Sequence, residues 1–157
     1  MQILVISDTH GRSSRIENVI EKHPQIKHIF FLGDGIRDIE DCAYIYSDRT
    51  FHIVEGNCDG YTMYKSSDYI EFCGKKILFT HGHMYDVKYT DEKLKKEAKS
   101  LSVNLVLYGH THTAKIEYAD GIYFVNPGSL YSGRDGCCSY AIIDLVDSGI
   151  MPNIIKF

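Results

Sequence analysis

The chain has 157 residues, of which 44% are hydrophobic and 24% are charged. This composition is typical of folded globular proteins and argues against a disordered, collagen-like or coiled-coil chain. Lys and Arg total 17 against 21 Asp and Glu, which gives a net charge of −4 at pH 7. A general nucleic-acid-binding surface is therefore not expected, because it requires clustered cations; nucleic acid remains only a possible substrate.

We expect one cytoplasmic domain spanning residues 1–157, with no membrane partner. No apolar run approaches the roughly 18 residues that cross a bilayer. The first residues lack the basic leader of a signal peptide. The five cysteines are odd in number and form no C-x-x-C pair, which favours reduced thiols over disulfides or a zinc finger.

Short apolar runs separated by polar junctions predict the secondary structure. In chain order, we expect strands at 3–6, 28–32 and 51–54, with helices at about 14–23 and 36–46 between them. Then follow a hairpin of strands 68–72 and 76–80, a helix at 91–100, a strand at 105–108, and strands at 115–118, 122–125, 140–146 and 153–157. The first two-thirds is α/β and the last third mostly β, an α+β arrangement that two sheets packed face to face with helices outside would accommodate.

Five of the predicted strands run directly into residues that can bind metal. In α/β sheets, the carboxyl ends of neighbouring strands converge on one crevice, so these side chains are expected to meet. The seven candidates are Asp8, His10, Asp34, Asn57, His81, His110 and His112. Each alone has an ordinary alternative as a helix cap, a turn residue or a surface histidine, but five such junctions in succession favour a site.

The ligand types favour two transition-metal ions. Imidazole, carboxylate and amide oxygen together suit Mn, Fe, Ni, Co or Zn, whereas calcium prefers oxygen throughout. Seven donors exceed one tetrahedral site and suit two ions that share a carboxylate. The spacing of Asp8 with His10, and of His110 with His112, predicts that each pair projects from one side of an extended segment. A purely structural metal site is disfavoured because such sites usually use cysteine.

The ordered motifs D-x-H, G-D, G-N, H-G-H and G-H-x-H resemble the calcineurin-like metallophosphoesterase superfamily. Together with the N-P-G-S turn that starts at Asn126, they resemble its small branch of bacterial and archaeal phosphodiesterases, which is similar to a retromer subunit that serves mainly as a scaffold. The resemblance implies two packed mixed β-sheets flanked by helices. It also implies that Asp8, His10 and His112 hold one metal, that Asn57, His81 and His110 hold the second, and that Asp34 bridges them.

The resemblance implies a two-metal phosphodiesterase that hydrolyses a small phosphodiester with a metal-bridging hydroxide as nucleophile. Manganese is the expected metal, with Ni, Fe, Co or Zn as alternatives, and Asp34, Asn57 and His81 are the expected catalytic residues. Two divalent cations would leave a small positive excess over the carboxylates and hydroxide, which attracts phosphate. The alternative is a non-catalytic interaction scaffold on the same fold, which the complete ligand set disfavours.

One position departs from the usual pattern. Many superfamily members have histidine after the G-N asparagine, and this chain has Cys58, as the small branch also does. A thiol does not simply replace an imidazolium as general acid. His83 and Arg134 are further candidates for phosphate contacts, whereas His23, His28 and His52 are expected to be structural or solvent-facing.

Overall fold

The computed structural model describes residues 1–156. Its α-helices are α1 (Ser13–Lys22), α2 (Ile36–Ile45) and α3 (Glu92–Ser100), and a 3-10 turn spans His83–Tyr85. Its strands are β1 (Gln2–Ile6), β2 (His28–Phe31), β3 (Thr50–Ile53), β4 (Ser67–Phe72), β5 (Lys75–Thr80), β6 (Leu105–Tyr108), β7 (Lys115–Ala119), β8 (Ile122–Asn126), β9 (Ser139–Val146) and β10 (Gly149–Lys156). None of the helices within residues 1–156 is long and apolar enough to cross a membrane.

The strands form two five-stranded mixed sheets, in the orders β10-β9-β1-β2-β3 and β4-β5-β6-β8-β7. In the first sheet β1, β2 and β3 run parallel, and in the second β5, β6 and β8 do. Sheets that mix parallel and antiparallel pairs, with helices beside them, confirm the predicted fold class. The prediction of one domain over residues 1–157 stays a prediction.

The last strand was placed too late in the sequence. β10 pairs with β9 from Gly149 onward, four residues before the predicted start, and the predicted final residue, Phe157, lies outside the described residues. Pro152 obscured this strand because proline cannot donate to a sheet ladder. It is tolerated here because β10 is at the edge of its sheet.

Alternate side chains along a strand pack into different layers of the fold. In β1, Ile3 and Val5 pack into the core between the two sheets, whereas Leu4 and Ile6 pack against α1 and α2. α3 covers the outer face of the second sheet through its own apolar cluster. Helices thus cover both outer faces of the two packed sheets.

The carboxyl ends of parallel strands from both sheets meet at one edge of this sandwich. The amide of Asp8, after β1, donates to the carbonyl of Gly33, after β2, at 3.0 Å. The amide of Gly109, after β6, donates to the carbonyl of His81, after β5, at 3.0 Å. The two sheets are joined here because the side chain of His81 donates from Nδ1 to the carbonyl of Leu32 at 2.6 Å.

Candidate metal centre

The first ligand group consists of Asp8, His10 and His112. Their ligand atoms lie within 4.8 Å of one another. Nε2 of His112 is 3.0 Å from Oδ1 of Asp8 and 3.4 Å from Nε2 of His10. The other oxygen of Asp8 accepts hydrogen bonds from Ser7 Oγ at 2.6 Å and from the amide of His110 at 3.1 Å. One carboxylate oxygen is thereby fixed to the protein while the other faces the two imidazoles.

The second ligand group consists of Asp34, Asn57, His81 and His110. Nε2 of His81 is 3.1 Å from Nδ1 of His110, 3.2 Å from Oδ1 of Asn57 and 3.5 Å from Oδ2 of Asp34. The same Asp34 oxygen is 3.8 Å from Nε2 of His10, in the first group. Asp34 therefore lies between the two groups, where the family resemblance implies a bridging ligand.

The structure brings all seven predicted ligands together, but not through the expected geometry. Asp8, His10, His110 and His112 all have positive φ, between 44° and 66°, so their segments are tightly turned rather than extended. The turn separates the neighbours in sequence: His110 lies beside His81, and His112 lies beside Asp8 and His10. The expected extended backbone is therefore wrong for both pairs. Asp8 and His10 still converge in the first group, whereas His110 and His112 fall in different groups.

Backbone strain is concentrated at these positions. Left-handed backbone is uncommon for residues other than glycine, and such residues persist where the surrounding structure over-determines them, often at functional sites. Asp34 shares it, with φ of 59°. Close approach of the loops also requires glycine, since a Cβ on Gly56 would lie 2.1 Å from Oδ1 of Asp34 and one on Gly109 would lie 2.0 Å from Oγ of Ser7.

Asp59 organises the second ligand group, a role that the sequence did not reveal. Its carboxylate accepts hydrogen bonds from the amides of Asp34, Gly35 and Ile36, at 2.7–2.9 Å, and from that of Gly56 at 2.6 Å. It thereby holds the loop after β2 against the loop after β3 and satisfies free amides at the start of α2. An acidic residue two positions after Asn57 was the only signal in the sequence.

The N-P-G-S turn joins the first ligand loop to the last. Oγ of Ser129 donates to the carbonyl of Asp8 at 2.8 Å, and Nδ2 of Asn126 donates to the carbonyl of Gly109 at 2.8 Å. Gly128 has φ of 83°, and a Cβ there would lie 2.0 Å from Oγ of Ser139. The turn therefore positions the loops that carry the candidate ligands, and none of the seven candidate metal ligands belongs to the turn itself.

The donor set fits cations. Because the carbonyl of Leu32 can only accept, Nδ1 of His81 donates to it, and when the ring is neutral the lone pair of Nε2 faces the oxygens of Asn57 and Asp34. Oδ1 of Asp8 is buried and has no hydrogen-bond partner among residues 1–156. Acceptors that converge in this way repel one another unless a proton or a metal ion lies between them. His81 and His112 are each oriented through Nδ1 by a backbone carbonyl, as metal-binding histidines usually are.

The charges of the site shift its pKa values. Burial would raise the pKa of Asp34, but hydrogen bonds and charge from His81, with the amide of Cys58, hold it well below the usual range. Burial opposes protonation of His81, yet the Asp34 and Asp8 carboxylates raise its pKa. Burial and the nearby His81 lower the pKa of His110 to about 4. The Asp34 carboxylate therefore stays ionised, and His110 stays neutral, near pH 7.

The three additional candidates occupy different places around the centre. The ring of His83 lies tilted beside the second group, with its centroid 5.5 Å from that of His81, and its buried Nδ1 has no hydrogen-bond partner among residues 1–156. Cys58 is exposed, its amide donates to Oδ1 of Asp34 at 2.8 Å, and burial and Asp34 raise the pKa of its thiol to about 11. Arg134 is exposed, and its amide donates to the carbonyl of His112 at 2.9 Å.

The three remaining histidines lie away from the centre. His23 hydrogen-bonds with the hydroxyl of Tyr140 at 2.8 Å. His28 and His52 stack on each other, and His52 also stacks on Phe30. All three make contacts with other side chains of the protein, as expected of structural histidines.

Residues 1–148 match the family model of the calcineurin-like phosphoesterase superfamily domain. The match covers most of the chain, and the chain belongs to this superfamily. The fold and the paired ligand groups described above are consistent with that membership, which confirms the resemblance drawn from the motifs. The protein is thus a metal-binding phosphoesterase by family.

Three relatives with similar sequences carry different functional names. The chain is 30% identical over 147 residues to a probable metallophosphoesterase, YsnB, of Bacillus subtilis, covering 92% of this chain and 85% of that protein. It is 26% identical over 156 residues to the phosphodiesterase MJ0936 of Methanocaldococcus jannaschii, covering 89% and 86%. It is 30% identical over 137 residues to vacuolar protein sorting-associated protein 29 of Schizosaccharomyces pombe, covering 82% and 72%.

A solved structure agrees with the fold. The crystal structure of a predicted phosphoesterase from Streptococcus pneumoniae superposes with a TM-score of 0.87 at 30% identity, covering 99% of this chain and 88% of the other. The similarity extends over nearly the whole chain, so the two-sheet architecture is shared.

Proposed function

We propose that this protein is a cytoplasmic phosphodiesterase that hydrolyses a small phosphodiester with two divalent metal ions. Manganese is the metal expected at both positions. The observation that carries the proposal is the position of Asp34, whose Oδ2 lies 3.5 Å from Nε2 of His81 and 3.8 Å from Nε2 of His10. A carboxylate between two groups of imidazoles is suited to bridge two ions. When bound, such ions acidify water and stabilise the charge that develops on the phosphoryl oxygens.

The chain's own residues hold this arrangement before substrate binds. Leu32 orients His81, Ser132 accepts from Nδ1 of His112 at 3.1 Å, and Ser7 fixes one oxygen of Asp8. Ligands that are already oriented need little reorganisation during the reaction. We propose in addition that His83, whose ring lies beside that of His81, and Arg134, whose amide is bonded to His112, donate to phosphate oxygens that point away from the ions.

We further propose that diesters are better substrates than monoesters. A diester carries one negative charge and a monoester close to two, whereas the loaded centre has only a small positive excess. A dianion can bind both ions tightly in its ground state, and binding that is no stronger in the transition state does not accelerate the reaction. The name of the archaeal relative, a phosphodiesterase, supports the same choice.

The test is steady-state kinetics with matched p-nitrophenyl mono- and diesters, on protein stripped with a chelator and reloaded with manganese. We expect no hydrolysis by stripped protein, recovery on reloading and a higher kcat/KM for the diester. His23→Ala is the matched control, because this histidine lies outside the centre, and it should leave the rates unchanged. Full activity without metal would contradict the two-metal proposal, and a clearly higher kcat/KM for the monoester would overturn only the diester preference.

A second candidate function is supported by the relative from Schizosaccharomyces pombe, which is named for vacuolar protein sorting. On that alternative, the fold would serve as an interaction scaffold and the metal centre would be structural. Metal binding without hydrolysis of either the p-nitrophenyl monoester or the diester would favour this scaffold function.

A further inference from the structure

We propose that the cleft beside the metal centre binds a flat, uncharged aromatic ring carried by the substrate phosphate, on a wall formed by Arg37, Tyr61, Met63 and Tyr64. We call this the aromatic wall. The inference rests on the proposed function, because it places the phosphate of the same molecule on the metal centre.

The cleft is continuous with the metal centre and larger than a phosphate. Its volume is about 690 Å³, which lies within the roughly 300–1,000 Å³ typical of small-molecule sites. His10, Asp34 and Cys58 line one part, and the aromatic wall lines another. A phosphate held between the ligand groups would therefore have one substituent directed along the wall.

Two side chains of the wall, Tyr61 and Met63, project into solvent and are free to contact a ligand. Tyr61 is 97% exposed and Met63 is 91% exposed, and neither makes a hydrogen bond or ring contact within residues 1–156. An exposed tyrosine is suited to stack on a planar ligand, because it offers a large contact area with little loss of side-chain freedom. A methionine adds a polarisable thioether that adapts to the edge of an aromatic ring.

The loop that carries the wall is fixed at its base. The amide of Glu55 donates to the carbonyl of Lys65 at 2.9 Å, which closes the loop. Oγ1 of Thr62 donates to Oε2 of Glu55 at 2.7 Å and accepts from the amide of Tyr64 at 3.1 Å. Tyr61 and Met63 thus project from an ordered backbone, which lowers the entropic cost of binding.

The charges around the cleft favour an uncharged ring over a second anion. Arg37 is exposed and makes no hydrogen bond or ion pair within residues 1–156, and its flat guanidinium can stack on a ring. Among residues 1–156 it is the only Lys or Arg that lines the cleft, and the carboxylates of Asp34, Asp38, Glu40 and Asp59 also line it. Oδ2 of Asp38 already accepts from Thr9 Oγ1 at 2.6 Å, and Oε1 of Glu40 accepts from the hydroxyl of Tyr64 at 3.3 Å. An anionic substituent would face these acids.

The test compares phenylphosphonate with methylphosphonate, whose carbon–phosphorus bonds resist hydrolysis, by calorimetric titration into the manganese-loaded protein. We expect phenylphosphonate to bind about tenfold more tightly, as one stacking contact would give. Tyr61→Ala and Met63→Ala should each reduce that ratio, and the double variant should bring it near one. Tyr89→Ala is the matched control: Tyr89 is 90% exposed but lines a separate depression, so the ratio should not change.

The outcomes separate this inference from the proposed function. Equal affinities for the two phosphonates, or a ratio that survives the double variant, would overturn the aromatic wall even in a protein that hydrolyses diesters. Loss of the ratio only in Tyr131→Ala would also overturn it, because the edge of Tyr131 meets His10 from outside this cleft. A tenfold ratio in a protein that hydrolyses no diester would support the wall and reject the phosphodiesterase. Failure of both phosphonates to bind would contradict both.

Discussion

His81, of the second ligand group, is held more firmly by the fold than His10 and His112, of the first. His81, in the second group, is fully buried, and its Nδ1 is bonded to the carbonyl of Leu32. In the first group the side chains of His10 and His112 are 27% and 26% exposed. Only His112 of these two has a backbone acceptor for its second nitrogen, the carbonyl of Ser132 at 3.1 Å.

This difference indicates that His81 is built into the junction between the sheets, whereas His10 and His112 lie nearer the surface. A fixed, buried ligand loses little entropy when an ion binds, but an exposed imidazole must be ordered. We therefore expect the ion of the first group to exchange with solvent faster. The following predictions either break this difference or make it measurable.

The largest effect is expected from Asp34→Asn, because Asp34 belongs to both groups. The variant amide can still accept from the amide of Cys58, as the carboxylate does at 2.8 Å, so the fold should survive. Removing one charge from the bridging position should lower kcat/KM by more than about a hundredfold, beyond the effect of losing a residue that merely orients a ligand. Elemental analysis should show less of both ions, and a protein that keeps two ions and full activity would contradict the bridging role.

His81→Ala and His10→Ala should separate the two groups. Each should lower the metal content by about one ion, but His81→Ala also leaves the buried carbonyl of Leu32 without its partner. An unsatisfied buried acceptor costs about 1–3 kcal/mol, so the metal-free His81→Ala protein should unfold at a lower temperature than metal-free His10→Ala. Thermal unfolding in chelator measures this difference, and equal unfolding temperatures would show that the two groups are held alike.

Asp59→Asn should weaken the second group without removing a ligand. An asparagine offers a neutral oxygen in place of a carboxylate that accepts four amides, and hydrogen bonds to charged groups are the stronger kind. We expect a loss of about 1–3 kcal/mol in unfolding free energy and roughly tenfold weaker metal binding. Asp48→Asn is the control, because Asp48 pairs with Lys27 on the surface and such pairs contribute little. An equal effect of the two substitutions would rule out the organising role of Asp59.

The convergence of the seven candidate ligands could be predicted from the sequence, but their partition between the groups could not be derived from spacing. Polar residues that follow buried strands converge because strand ends do, and this rule found His81 and Asn57 from local sequence alone. The pairing of His110 with His81 depends on left-handed backbone at His110, which no periodicity encodes. The role of Asp59 depends on amides contributed mostly by the loop after another strand, so an acid near a glycine looked like an ordinary turn.

The smallest effect is expected at Cys58, which lies at the boundary between the metal centre and the cleft. Its thiol pKa of about 11 means that it is neutral at pH 7 and a weak proton donor, and its Sγ accepts from Nδ2 of Asn57 at 3.2 Å. If leaving-group protonation is limiting, Cys58→His should raise kcat/KM for alkyl diesters severalfold. This gain is smaller than the roughly 100-fold or more that a well-positioned general acid contributes. Aryl diesters, whose leaving groups need no proton, should change little.

The kinetic comparison must exclude a change in the metal centre, because Cys58 can approach His10 and Asp34 as a ligand. Metal content should therefore match that of the unaltered protein, and Cys137→His, at an exposed cysteine, serves as the control for an added imidazole. Equal acceleration of alkyl and aryl diesters would show that the position acts on metal binding or phosphate binding rather than on proton transfer. A selective gain for alkyl esters would assign the missing general acid to this position and would explain why an intact ligand set need not imply fast turnover of unactivated esters.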